Sequence, residues 1–178
     1  MEDDLCILLF VLINWLIVYV ILEFHIINNK RIIVKKMFIE LDAMFEKRLI
    51  LLDKMIDIVK SYDKNQFDDF GSKLYDYIKN YNVFECNKKL EINALIEGNI
   101  KKILLVRKVY PELDSVDKYV KLEKQLVRMN KIINKLCVRY NKVLKNYVDR
   151  KRIFPSGIIC FICRFYSYSV LQLTVLEE

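Results

Sequence analysis

The chain has a single histidine, His25, and five cysteines, two of which, Cys160 and Cys163, form a C-x-x-C pair. These residues invite nucleophilic, redox or metal chemistry more than any others, and each falls short of it. A closed thiolate zinc site takes four ligands, and no second pair follows at zinc spacing. A thioredoxin-like redox pair needs a strand–helix setting, which is missing here. Both cysteines lie in the apolar run from Ile158 to Phe165. That makes them small buried hydrophobes, with acylation close to a membrane as the alternative. His25 has no neighbouring Cys or His with which to form a metal site or a catalytic dyad, so Ser/His/Asp and Cys/His arrangements both lack a placed histidine. Gly71, Gly98 and Gly157 are isolated and cannot cradle a phosphate. Asp68 and Asp69, adjacent on a helix, diverge by about 100° and read as a solvated face. The expectation is a protein that is not an enzyme, with no cofactor, no metal site and no small-molecule substrate.

Charge narrows the partners. Thirty Lys and Arg against 23 Asp and Glu give a net charge of +7. The basic residues are spread among acidic ones, with no dense basic arm, zinc-finger spacing or RNA-binding aromatic motif, so no nucleic acid is expected. A basic surface near anionic inner-leaflet lipids accounts for the charge. The odd cysteine count, in a body expected to be cytoplasmic, argues against a disulfide framework.

The elements that must position any site begin with Leu5 to Leu22, eighteen residues without a charge. As a helix this stretch covers about 27 Å, close to the ~30 Å hydrocarbon core of a bilayer. With no basic segment before it and no small-residue cleavage site after it, it reads as an uncleaved anchor. Glu2, Asp3 and Asp4 precede it, while Lys30, Arg31, Lys35 and Lys36 follow. Positive charge marks the cytoplasmic side, which puts the N-terminus outside and the body inside. Asn14 falls near mid-membrane, where an amide is either tolerated in a lone anchor or pairs with another helix in self-association.

Beyond the anchor, steps of four and three from Val34 reach Phe38, Leu41, Phe45, Arg48, Leu52, Met55, Val59 and Tyr62, all apolar except Arg48. Arg48 either snorkels its guanidinium to the surface or is buried against a carboxylate, with Glu97 or Glu123 as candidates. Phe67, Phe70, Leu74, Tyr77, Tyr81 and Phe84 form an aromatic stripe on a shorter helix. Ile92, Ile96, Ile103, Val106 and Tyr110 mark a third, ended by Pro111. Ser115 with Asp117 and Lys118 then starts a fourth, whose seam runs Tyr119, Leu122, Leu126, Met129, Ile133, Leu136, Tyr140, Val143, Tyr147, Arg150 and Phe154, and Pro155-Ser156-Gly157 stops it. One-sided helices joined by short turns hide their stripes against each other. The fold expected is all-α: an N-terminal transmembrane helix (5–24), then an antiparallel four-helix bundle over 25–157 with long first and fourth helices. An apolar tail, 158–178, would lie at the membrane interface or dock on the bundle.

The same residues resemble the LemA family. Val109-Tyr110-Pro111-Glu112-Leu113, then Tyr119 to Leu126, Tyr140-Asn141 and Phe154-Pro155 are similar to that family's C-terminal half. There a Y-P-[DE]-L turn leads into a long helix with Y-N pairs and an R-F-P stop. Arg31, Val34, Phe38, Leu41-Asp42, Lys47-Arg48 and Val59-Lys60-Ser61-Tyr62 follow the register of its N-terminal half. Asp53 stands where the family usually has a proline, Ile50 replaces a common acidic residue, and Asn130 replaces a frequent Glu. The resemblance implies an integral inner-membrane protein of bacteria with a long helical bundle and no established catalytic activity. Asn14, Arg48, Tyr110, Pro111, Tyr140, Asn141, Phe154 and Pro155 are the candidate structural or interaction positions. The expected partners are the lipid bilayer, an unidentified protein and a second copy of the chain. The function expected is an interaction or scaffold module, or else a subunit of a membrane signalling or transport assembly.

Overall fold

No Gly or Pro interrupts the chain between the acidic N-terminus and Tyr62, so nothing local stops a helix once it has started. In the computed structural model, which describes residues 2–62 and 64–165, the first helix α1 accordingly runs Glu2–Val59 without a break. It passes through Asp53, where a proline would have kinked it. It ends in a tightened turn, with Ser61 N–H donating to Ile58 O and Tyr62 N–H to Val59 O. Next come α2 (Lys64–Asn80), α3 (Cys86–Val109), α4 (Asp117–Lys151) and α5 (Ser156–Ile162). Short 3-10 turns, Tyr81–Val83 and Pro111–Ser115, separate α2 from α3 and α3 from α4. The described residues are all helix and turn, with no strand.

Three expectations about helix ends need correction. The aromatic stripe does not stay on one helix to Phe84: α2 stops at Asn80, and Tyr81 begins the 3-10 turn. Of the start expected at Ser115 with Asp117 and Lys118, α4 begins at Asp117, while the Ser115 hydroxyl donates back to Glu112 O inside the preceding 3-10 turn. Pro155-Ser156-Gly157 does more than stop α4, which has already ended at Lys151; Pro155 caps a further helix, α5. A proline is tolerated where a helix starts, because the N–H it lacks would have no intrahelical partner there.

The chain divides into two compact units, one drawn from Met1–Lys36 and Tyr140–Ser167, the other from Met37–Arg139. In the second unit the seam of α1 is buried at Phe38, Leu41, Phe45, Arg48, Leu52, Met55 and Val59. Ile92, Ile96, Ile100, Ile103 and Val106 of α3 and Tyr119, Leu126 and Ile133 of α4 are also buried in that unit. Arg107 of α3 donates to Glu123 of α4 at 2.9 Å, and the Tyr119 hydroxyl donates to Ile103 O at 3.2 Å. In the first unit the buried residues are Glu23, Ile27 and Val34 from α1, Tyr140, Leu144 and Tyr147 from α4, and Ser156, Ile159 and Cys160 from α5. The N-terminal part of α1 differs from all of this. Its most apolar eighteen-residue stretch has a mean hydropathy of 2.9 and none of it is buried, so this helix is long and apolar enough to cross a membrane.

Candidate functional site

In the unit Met37–Arg139, α3 carries a polar row at steps of four, Lys89, Asn93 and Glu97, beside its apolar row Ile92, Ile96 and Ile100. This row meets Arg48, whose side chain is 0% exposed. Arg48 Nη1 donates to Glu97 Oε2 at 2.5 Å, and Nη2 donates to Asn93 Oδ1 at 3.0 Å. A longer contact from Nη1 reaches Asn130 Oδ1 of α4 at 3.5 Å, and the guanidinium lies 5.3 Å from the centre of the Phe45 ring. The network continues outward. Asn93 Nδ2 donates to Lys89 O and to the Tyr81 hydroxyl, and Tyr81 donates to Asp42 Oδ1 at 2.8 Å. Lys89 Nζ donates to the other Asp42 oxygen at 2.7 Å.

Burial dominates the electrostatics of this network. Burial pulls the Arg48 guanidinium down from its usual value, and the Glu97 carboxylate opposes that shift. Burial, reinforced by Asp42, pushes the Tyr81 phenol up. Burial pushes the nearby Cys137 thiol up to about 12. At neutral pH the phenol and thiol therefore stay protonated, and a thiol in that state is a poor nucleophile. Arg48 Nε, Glu97 Oε1 and Asn130 Nδ2 are buried with no hydrogen-bond partner among the described residues. The cluster joins α1, α3 and α4 at one point. Of the two readings of Arg48, the buried one with Glu97 is observed, while Glu123 is taken by Arg107. On another face of the same unit, Ile50, Leu51, Met129 and Ile132 line an apolar groove of about 360 Å³, with Lys47 and Arg128 at its sides.

The other unit holds a second polar junction. Glu23 directly follows the uncharged stretch Leu5 to Leu22 and is 4% exposed. Arg150 Nη2 donates to Glu23 Oε1, and the buried Ser156 hydroxyl donates to Oε2 at 2.8 Å. One carboxylate thus ties α1 to the end of α4 and the start of α5. The Phe24 and Phe165 rings lie 6.2 Å apart, and the Arg31 guanidinium stands 4.7 Å from the centre of Phe165. Beside this junction a cleft of about 770 Å³ is lined by Lys151, Arg164 and residues of α5.

The sequence-predicted positions do not gather into one site. Asn14 is exposed on α1, and its Nδ2 donates to Phe10 O at 2.8 Å. Tyr110 caps α3 with its ring 6.3 Å from Tyr62, and Pro111 opens the 3-10 turn. Tyr140 is buried and Asn141 half-buried in the other unit. Pro155 is buried, but Phe154, placed on the α4 seam by spacing, is 70% exposed because the helix ends before it. Cys160 is buried as expected, whereas Cys163 is exposed, at the cap where α5 runs out. All five cysteines are free thiols. Among the described residues no three of His, Cys, Asp and Glu group closely enough to hold a metal ion. The tail beyond Phe165 lies outside the described residues.

Glu23, Ser156, Asn93, Asn130, Tyr81, Asp42 and Lys89 join these junctions without having been singled out as sites. The row of Lys89, Asn93 and Glu97 along an apolar helix face was the available signal, together with Arg150 as the one polar member of the α4 seam. Compared with known families, the chain matches the LemA family over residues 37–177. No curated protein and no solved structure matches it.

Proposed function

The chain belongs to the LemA family, and from that premise we propose that it is a membrane-anchored, non-catalytic helical module that presents its body to cytoplasmic partners. One observation carries the reading. From Leu5 to Leu22 every residue is uncharged, and large apolar side chains such as Leu8, Phe10, Trp15, Ile17 and Ile21 are half or more exposed. Burying a Leu, Ile or Phe is worth about 1.5–3 kcal/mol each, so a helix exposing this many all round is supported by lipid and not by water. The flanking charges, acidic before and basic after, favour an outside N-terminus and a cytoplasmic body in a bacterial inner membrane. We read α1 to α4 as an antiparallel four-helix bundle, on the grounds that α1, α3 and α4 share the Arg48 cluster and that α3 and α4 are joined again at Arg107–Glu123.

The test is topology. A C-terminal reporter should behave as cytoplasmic, and the chain near Lys60 should survive protease added to intact cells. Cleavage there from outside would overturn the orientation. A second reading, a subunit of a signalling or transport assembly, rests on Asn14, a polar side chain exposed within the anchor. Its donor is turned to its own helix at Phe10 O, which lowers the demand for a partner helix. Stoichiometric partners captured by the detergent-solubilised protein only when the anchor is present would favour the assembly. Partners captured equally by the anchorless body would favour the module.

A further inference from the structure

Four observations coincide at the end of α1's uncharged stretch. The first is position. Glu23, held by Arg150 and Ser156, fixes the start of α5 beside the residue that follows Leu22. If the anchor spans the bilayer, this junction stands at headgroup depth. The second is exposure. Around α5, Phe161 is 85%, Ile162 71% and Phe154 70% exposed, a density of bare apolar surface that soluble helices avoid.

The third is charge. Lys151 and Arg164 line the cleft beside α5, and among the described residues no acidic one does. Arg31 stacks over Phe165, which is part of the same wall. The carboxylate at the junction, Glu23, is already paired.

The fourth is backbone conformation. α5 closes with Phe165 N–H donating to Cys160 O and Arg164 N–H donating to Phe161 O. That paired closure places Arg164 in the left-handed region, φ 47°, where glycine is the unstrained residue. An arginine is held at a position that disfavours it. Gly157 shapes the other wall: a Cβ there would come within 2.9 Å of Lys151 O, so only glycine lets α5 fold back this closely on the end of α4.

We infer that this cleft is a binding site for the phosphate of an anionic phospholipid in the leaflet around the anchor. Lys151 and Arg164 take the phosphodiester, and Phe161, Ile162 and Phe154 enter the acyl region beside it. The inference rests on the anchored reading and deepens it by naming the lipid chemistry. Arg164 suits the task because its planar fork can engage two phosphate oxygens at once.

The test uses the full-length protein in mild detergent, titrated with phosphatidylglycerol or phosphatidylcholine and read by native mass spectrometry. Flotation with pure phosphatidylcholine vesicles is the parallel check on the anchor. With about five-fold per cation near an anionic headgroup, wild type should retain phosphatidylglycerol roughly 25-fold over phosphatidylcholine. Lys151→Gln and Arg164→Gln should each lower that ratio about five-fold, while Lys124→Gln, an exposed residue elsewhere on α4, should leave it unchanged. Arg164→Gly separates function from folding: it relieves the left-handed position and should melt no lower than wild type, yet lower the lipid preference about five-fold, as Arg164→Gln does. Equal retention of both lipids by a protein that floats would overturn the site and leave the anchor standing. Retention unaffected by either Gln variant would overturn it too. Displacement of the lipid by millimolar inorganic phosphate would make the cleft a free-anion site and refute the lipid assignment. Failure to float would remove the anchored reading and this site with it.

Discussion

Replacing Arg48 with alanine is the sharpest test of how this fold is held. The side chain is fully buried with its charge against Glu97 at 2.5 Å, and Glu97 itself is 2% exposed. Truncation would leave that carboxylate buried and uncompensated, strip Asn93 Oδ1 of its Arg48 donor and open a cavity beside Phe45. Breaking a buried pair by removing one partner costs about 3–5 kcal/mol. Against a total stability of roughly 5–15 kcal/mol, that is a large share. At about 2–4 °C per kcal/mol for a chain of this size, Arg48→Ala should melt some 6–20 °C below wild type in thermal scans followed by circular dichroism in detergent. Arg48→Met with Glu97→Leu removes both charges and keeps most of the volume, and it should recover most of the loss, because well-packed apolar replacements of buried pairs are often neutral or better. Glu123→Ala, which breaks the part-exposed pair with Arg107, should cost under about 1 kcal/mol. An Arg48→Ala protein melting within a degree or two of wild type would refute the buried-pair reasoning. A double variant melting as low as the single would show that the loss lies in packing and not in charge.

Other outcomes follow from the same geometry. Burial and the neighbouring Asp57 push the Asp53 carboxyl up; the folded state then binds this proton more tightly than the unfolded one, so its contribution is present at low pH and lost as pH rises. Asp53→Asn should therefore raise stability slightly at pH 7, by under about 1 kcal/mol, and not at pH 3. The Cys137 thiol, pushed up to about 12, holds its proton in the folded state while an unfolded thiol loses it near 8.5. Stability should fall between about pH 9 and 12, less steeply in Cys137→Ala, and at pH 8 a thiol reagent should label Cys163 and spare Cys137 in the folded protein. Ser156→Ala strips one hydrogen bond from the buried Glu23 carboxylate and should cost roughly 1.5–3 kcal/mol in the same melts, whereas a neutral outcome would mean that the Ser156 bond contributes nothing to stability.

The seam of α1 was legible because nothing breaks the helix and its pattern is one-sided, so the residues spaced from Val34 to Val59 are buried in the structure, Arg48 included. The α4 seam was legible only in part, for a geometric reason. Steps of four and three assume a period of 3.5, and a straight helix of 3.6 residues per turn drifts about 20° per heptad from that line. Tyr119, Leu122 and Leu126 start on it. Further along, Asn130 is buried while Met129 is half-exposed, and Leu144 is fully buried while Val143 is not. The residue that joins the Arg48 cluster from α4 was therefore one place off the predicted row. Helix ends were the least legible, since Phe154 belongs to the seam by count and to the exposed surface by structure.

Partner choice was hidden for a different reason. Arg48 and Arg150 are each the lone polar member of an apolar seam, and each finds a buried carboxylate, Glu97 in one unit and Glu23 in the other. Neither carboxylate is marked as the partner by the pattern of its own helix. Glu97 belongs to the polar row that runs beside the isoleucines of α3, and Glu23 follows an uncharged stretch, 127 residues from its partner. A charge buried in a seam must be answered by one from a neighbouring helix, because solvation is lost there and only a partner restores it. Sequence thus shows that an answering acid exists, whereas the register between helices decides which one it is. That register is also what separated Glu97 from Glu123: two acids of equal charge on adjacent helices, one within reach of Arg48 and the other already paired to Arg107.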